Sequence, residues 1–222
     1  LPEIKGVSLA LGSAVHTTIE YILKSSTLPN ESDIKIYIDK ELHDEGITDK
    51  KEHARLAKDA LAAVNSWVTG YYTNLARDRV AERSLTYRDK QFPNLTMYGK
   101  IDLTERFPDG TITVTDFKTG SSKTKKKKKK LDEENRLSGM MRQLAMYSYL
   151  IHGSEGNDVT ESRLLFLEED LKQKNALYRT HVSGEQIELL IHDIADYQNL
   201  LTSGEWVDRP CNSKPFGKAT EC

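Results

Sequence analysis

The chain has 222 residues, 32 basic against 34 acidic for a net charge of −2, and is 37% hydrophobic and 30% charged. That length fits one generous domain, or a domain with an appended helical piece, and allows a sizeable core. No apolar run approaches the roughly 20 residues that cross a bilayer, no basic-then-apolar leader opens the chain, and the charge balance gives no global basic footprint, so any nucleic-acid contact must rest on local patches.

Val7 to Ser25 reads as an amphipathic helix whose apolar stripe is Leu11, Val15, Ile19 and Ile22. His16 and Glu20 are four residues apart on it and share another face. Imidazole beside carboxylates is ordinary ligand chemistry for a divalent ion, although a lone helical histidine is more often a surface or satisfied core residue. Glu31 to Gly46 reads as a second helix with surface charge. Asp49 to Asn74 reads as a longer one, with Leu56, Ala60, Ala63, Val64, Trp67 and Tyr71 as its apolar side. Val80 to Phe92 reads as a strand.

Met97 to Phe107 and Thr111 to Thr119 are rich in β-branched and aromatic residues, and Pro108-Asp109-Gly110 between them suits a three-residue hairpin loop. If Phe107 pairs with Thr111, Asp102 falls directly opposite Asp116, with the two Cβ atoms about 5 Å apart. Lys118, two residues on, points to the same face. A slip of one residue would separate the acids. Two carboxylates and a lysine on one hairpin are the minimum apparatus for metal-assisted cleavage of a phosphodiester. The acids hold a cation that activates water, and the lysine orients that water or stabilises developing negative charge. The plainer alternative is an exposed hairpin with a cross-strand charge cluster.

Lys123 to Lys130, interrupted only by Thr124, follows at the mouth of this hairpin. Such a run is normally solvated, and Lys123, Lys125 and Lys126 are placed to contact phosphates with strong salt dependence. Asp132 to His152 reads as a helix on which Gln143 and Tyr147 are four residues apart. Arg163 to Leu167 and Ala176 to Val182 read as strands. Ser183 is a helix N-cap, and the helix runs to Thr202 with Ile187, Leu190, Ile191, Ile194 and Leu201 at helical spacing. The order helices, three strands, helix, two strands, helix implies an α/β fold with a mixed sheet. The expected organisation is one domain over 1–205, comprising a helical part over 1–78 and a catalytic core over 79–205, with a tail over 206–222.

The ordered set Gly-x-x-x-His at Gly12–His16, Gly-x-Ile-Asp at Gly99–Asp102, Asp-x-Lys-Thr-Gly at Asp116–Gly120 and Gln-x-x-x-Tyr at Gln143–Tyr147 resembles the RecB-like branch of the PD-(D/E)xK nuclease superfamily. Each motif alone is weak; four in order are specific. The resemblance implies a restriction-endonuclease-like mixed sheet flanked by helices, with the N-terminal helices capping one side. It implies that His16, Asp102, Asp116 and the backbone carbonyl of Phe117 ligate Mg²⁺ or Mn²⁺, that Lys118 is the catalytic lysine, and that Glu20 sits next to the metal. Gln143 and Tyr147 would border the site and help hold Lys118 or the DNA backbone. The implied activity is hydrolysis of DNA, often exonucleolytic on ends or single strands, with a fused or partnered helicase; the start at Leu1 suits a domain cut from such a protein. The expected location is cytoplasmic. Some members carry an iron–sulfur cluster on four cysteines; Cys211 and Cys222 are the two cysteines here, so no cluster is expected. A catalytically silent DNA-binding module of the same fold is the alternative; such modules usually lose an acid or the lysine, and all are present here.

Overall fold

The computed structural model describes residues 7–119, 130–167 and 176–204, and for 130–138 the helical backbone alone. The lysine run Lys123–Lys129 and the tail 206–222 lie outside the described residues. Three helices open the chain: α1 (Val7–Lys24), α2 (Glu31–Asp44) and α3 (Lys50–Gly70). Asn30 and Asp49 cap α2 and α3 by accepting the amides of Asp33 and Glu52, which satisfies donors that a helix start leaves orphaned. α2 stops short of Gly46, which takes the left-handed φ of +83° that ends helices. α3 stops at Gly70, and the expected continuation to Asn74 is instead a short 3₁₀ turn at Tyr72–Asn74.

Five strands form one mixed sheet in the order β1 (Asp78–Tyr87), β2 (Met97–Arg106), β3 (Ile112–Lys118), β4 (Glu161–Phe166) and β5 (Leu177–Thr180). β3 and β4 pair in parallel and the other neighbours are antiparallel. The long helix α4 (Lys130–Glu155) makes the crossover between the parallel pair, as parallel strands require. β1 ends at Tyr87, short of the expected Phe92. The chain turns there because Phe92 donates to the Asp89 carbonyl and Leu95 to the Phe92 carbonyl, and Pro93 has no amide for a ladder. Helix α5 (Gly184–Ser203) closes the chain on a capping box between Ser183 and Gln186.

The central strands β3 and β4 are buried on both faces. α1, α2 and α3 pack a core of Ile19, Leu42, Leu56 and Trp67 against Leu103, Phe117 and Leu165. α4 and α5 pack a second core of Leu144, Leu150, Leu190 and Ile194 against Ile101, Ile112, Val114, Leu164 and Phe166. β4 supplies alternate residues to both, which explains its unbroken apolar run. Gly99 admits the close approach of α4: a Cβ there would lie 2.5 Å from Leu150 Cδ1.

Candidate active site

The hairpin forms in the expected register. Phe107 donates to the Thr111 carbonyl at 2.9 Å, Gly110 has φ +87°, and the pairs run from Arg106↔Ile112 to Leu103↔Thr115. Extended by one step, that register sets Asp102 against Asp116, at a position without ladder hydrogen bonds, where side chains stand closest. The ladder itself stops there. Phe117 N–H, which the next rung would direct to the Ile101 carbonyl, donates instead to Asp102 Oδ2 at 2.7 Å.

The same point carries a fault in the pleat. Ile101 belongs to the core under α4 and Leu103 to the core under α1–α3, although residues two apart on a strand normally share a face. On β1, Ala81 pairs with Leu103 and Arg83 with Ile101, and Glu82 between them has φ +51°. A left-handed φ at a residue other than glycine is uncommon and marks a constrained position. The result is a convergence of carboxylates. One ligand atom each from His16, Glu82 and Asp102 lie within 4.8 Å of one another, and His16 Nδ1 is 3.7 Å from Asp102 Oδ2.

Asp116 adjoins this group on β3. Its Oδ2 lies 2.6 Å from Lys118 Nζ, and its Oδ1 accepts the Tyr147 hydroxyl at 3.3 Å. Lys118 also donates to Gln143 Oε1 at 3.0 Å, and Gln143 Nε2 donates to the Tyr147 oxygen at 2.6 Å. Asp116, Lys118, Gln143 and Tyr147 therefore form a closed ring that fixes the lysine. Phe117 anchors the strand from its other face, with its ring edge-on to Trp67 at 6.0 Å and to His16 at 6.1 Å. The Phe117 backbone also lies close enough to His16 to favour its protonated form. α1 comes close enough for this because Gly12 lies against Thr119: a Cβ would sit 3.0 Å from its Oγ1.

His16, Glu20, Glu82, Lys100, Asp102 and Lys118 line an open cleft of about 620 Å³. Glu20 is on its wall but pairs with Lys24 on its own helix, outside the His16–Glu82–Asp102 group. Tyr147 is 4% exposed, so it holds neighbouring side chains and offers no surface to a nucleic-acid strand. Glu82 was not singled out by sequence reasoning. It is one of several polar residues along β1, and no spacing rule marks where a pleat will break.

The electrostatics suit a cation. Burial lowers the His16 pKa below 6.5, against the raising influence of Asp116 and Glu82, so the imidazole is neutral at pH 7 with a free lone pair. Burial, then the Asp116 charge, pushes Asp102 up to about 7. Burial raises Asp116 as well, with Lys118 opposing it. Burial raises Tyr147, which keeps it a hydroxyl donor. Asp116 Oδ2 is buried and accepts no well-aligned hydrogen bond among the described residues, its ion-pair contact with Lys118 aside. A neutral imidazole and two buried carboxylates with raised pKa values, with the Glu82 carboxylate beside them, fit a hard divalent cation.

The profile of the PD-(D/E)XK nuclease superfamily matches residues 1–222, and the chain belongs to that superfamily. A crystal structure of a candidate exonuclease from Eubacterium rectale shares the fold, with a TM-score of 0.57 at 17% identity over 90% of this chain and 69% of that one. The structure of SSO0001 aligns more loosely, with a TM-score of 0.38 at 13% identity over 87% of this chain and 86% of that one. No curated relative matches the sequence. Membership of the superfamily supports a hydrolytic nuclease, and members of the superfamily generally use divalent metals. Among the described residues no helix is long and apolar enough to cross a membrane.

Proposed function

We propose that this chain is a Mg²⁺- or Mn²⁺-dependent deoxyribonuclease of the RecB-like branch. The observation that carries the proposal is the convergence of His16, Glu82 and Asp102 next to Asp116, which pairs with a lysine that Gln143 also holds. His16, Asp102, Asp116 and the Phe117 carbonyl would hold the cation, with Glu82 completing the acidic side. When bound, the cation supplies a water of lowered pKa and offsets charge on the phosphate. Lys118 donates to the attacking water or to the oxygen on which charge develops; the ring through Gln143 and Tyr147 sets its position before substrate arrives. Glu20 borders the site from the cleft wall. Lys123, Lys125 and Lys126 would contact phosphates.

The four-motif resemblance supports exonucleolytic action on ends or single strands and a fused or partnered helicase. It also supports the division into a helical part over 1–78 and a core over 79–205. The test is incubation of end-labelled single-stranded DNA, double-stranded DNA and RNA with Mg²⁺, Mn²⁺ or EDTA. Metal-dependent shortening of DNA supports the proposal, and cleavage that persists in EDTA or is confined to RNA contradicts it.

A further inference from the structure

One face of the β1–β2 ribbon continues outward from the cleft. Ser84 and Thr86 on β1, Tyr98 and Lys100 on β2, and Arg88 and Thr96 just beyond the strand ends are all exposed. They form one surface, because Ser84 pairs with Lys100 and Thr86 with Tyr98, and Arg88 Nε donates to Thr96 Oγ1 at 2.8 Å. The opposite face, with Leu85, Tyr87, Met97 and Ile101, is packed in the core under α4. The six outward residues include two cations and no carboxylate. Tyr98 is 62% exposed, the most exposed tyrosine among the described residues. Its hydroxyl lies 3.2 Å from Ser84 Oγ. Ser84 is the cross-strand partner of Lys100, so the ring leans along β2 toward the cleft. Lys100 belongs to both surfaces: it lines the cleft and pairs with Glu82 there.

We propose that this face is a platform for single-stranded DNA, on which Tyr98 stacks an unpaired base while Lys100 and Arg88 contact the flanking phosphates. From Lys100 to Thr96 the platform extends about 13 Å along the strand. A duplex offers no free base face to a lone ring, whereas a single strand does, and stacking tolerates any base. The inference rests on the nuclease reading for its orientation, since Lys100 delivers the strand to the cleft.

The test measures affinity by fluorescence anisotropy for a short labelled oligo(dT), and for a blunt duplex, in EDTA. Cleavage plays no part in that readout, so failure of the platform is distinguishable from failure of the nuclease reading. Tyr98→Ala is expected to weaken oligo(dT) binding by about 5- to 150-fold, the range that one stacked base contributes, while Tyr98→Phe retains it. Lys100→Met and Arg88→Met are each expected to lower the salt slope of log K by about 0.7. Unchanged oligo(dT) affinity in Tyr98→Ala, with native circular dichroism, overturns the platform. Equal losses on oligo(dT) and duplex overturn its assignment to single strands.

Discussion

Replacing Asp102 by asparagine should stabilise the metal-free protein at pH 8 and do nothing of the kind at pH 4. The carboxyl is pushed up from 3.8 to about 7 by burial and by Asp116. A group whose folded pKa lies above its unfolded value is fully favourable below the unfolded pKa. Its contribution is lost as pH rises through the folded pKa. Each pKa unit corresponds to about 1.4 kcal/mol, so the ionised carboxylate costs at most about 4 kcal/mol at pH 8; partial solvent access and relaxation bring this to about 2 kcal/mol. Asparagine keeps an oxygen for the Phe117 amide that Asp102 Oδ2 now accepts at 2.7 Å, so the change removes the charge and spares the bond. For a domain of this size about 2 kcal/mol raises Tm by roughly 4–8 °C. The assay is thermal unfolding of both proteins in EDTA from pH 4 to 8. A Tm gain that grows between pH 4 and 7 supports the reasoning. A loss of stability at pH 8, or a gain independent of pH, would refute it.

Further outcomes follow from the same geometry. Saturating Mn²⁺ should raise the Tm of the wild type, by about 2.7 kcal/mol of added stability at a hundredfold excess over Kd, and should raise His16→Ala less; equal shifts would remove His16 from the ligands. Gln143→Ala removes an acceptor from Lys118 and a donor to Tyr147. A hydrogen bond to a charged group is worth about 1.5–3 kcal/mol, so kcat for DNA cleavage should fall by about 10- to 100-fold with the urea midpoint little changed. Gly153→Ala places a Cβ 2.4–2.6 Å from three ring atoms of Tyr87. Overpacking of about 1–3 kcal/mol outweighs the helix propensity gained, and urea unfolding should show a lower midpoint at constant m.

Much of this architecture is legible in the residues because it follows from short-range rules. The apolar stripe through Val15, Ile19 and Ile22 becomes the buried face of α1. The Pro108-Asp109-Gly110 loop sets the register that brings Asp102 and Asp116 together, since a turn of fixed length determines every later pair. Gln143 reaches Lys118 and Tyr147 reaches Asp116 because helical spacing places the two on one face. The departures arise where tertiary geometry overrides local pattern. Glu82 joins the site through a positive φ and a broken pleat shared with Asp102, and alternation along β1 gives no notice of either. Glu20 has the right spacing from His16, yet its carboxylate is drawn to Lys24 one turn on. Tyr147 is within helical reach of the cleft, but its hydroxyl turns inward to Asp116.

The central claim is that Lys118, set beside Asp116 by its neighbours, acts in metal-dependent phosphodiester hydrolysis. The most direct measurement compares cleavage of end-labelled DNA by the wild type and Lys118→Ala in Mg²⁺ and in Mn²⁺, with circular dichroism to show that the variant is folded. The account predicts metal-dependent cleavage by the wild type and a loss of about 10²- to 10³-fold in the folded variant, the scale of removing one donor aimed at developing charge. Equal cleavage by the two proteins would contradict it.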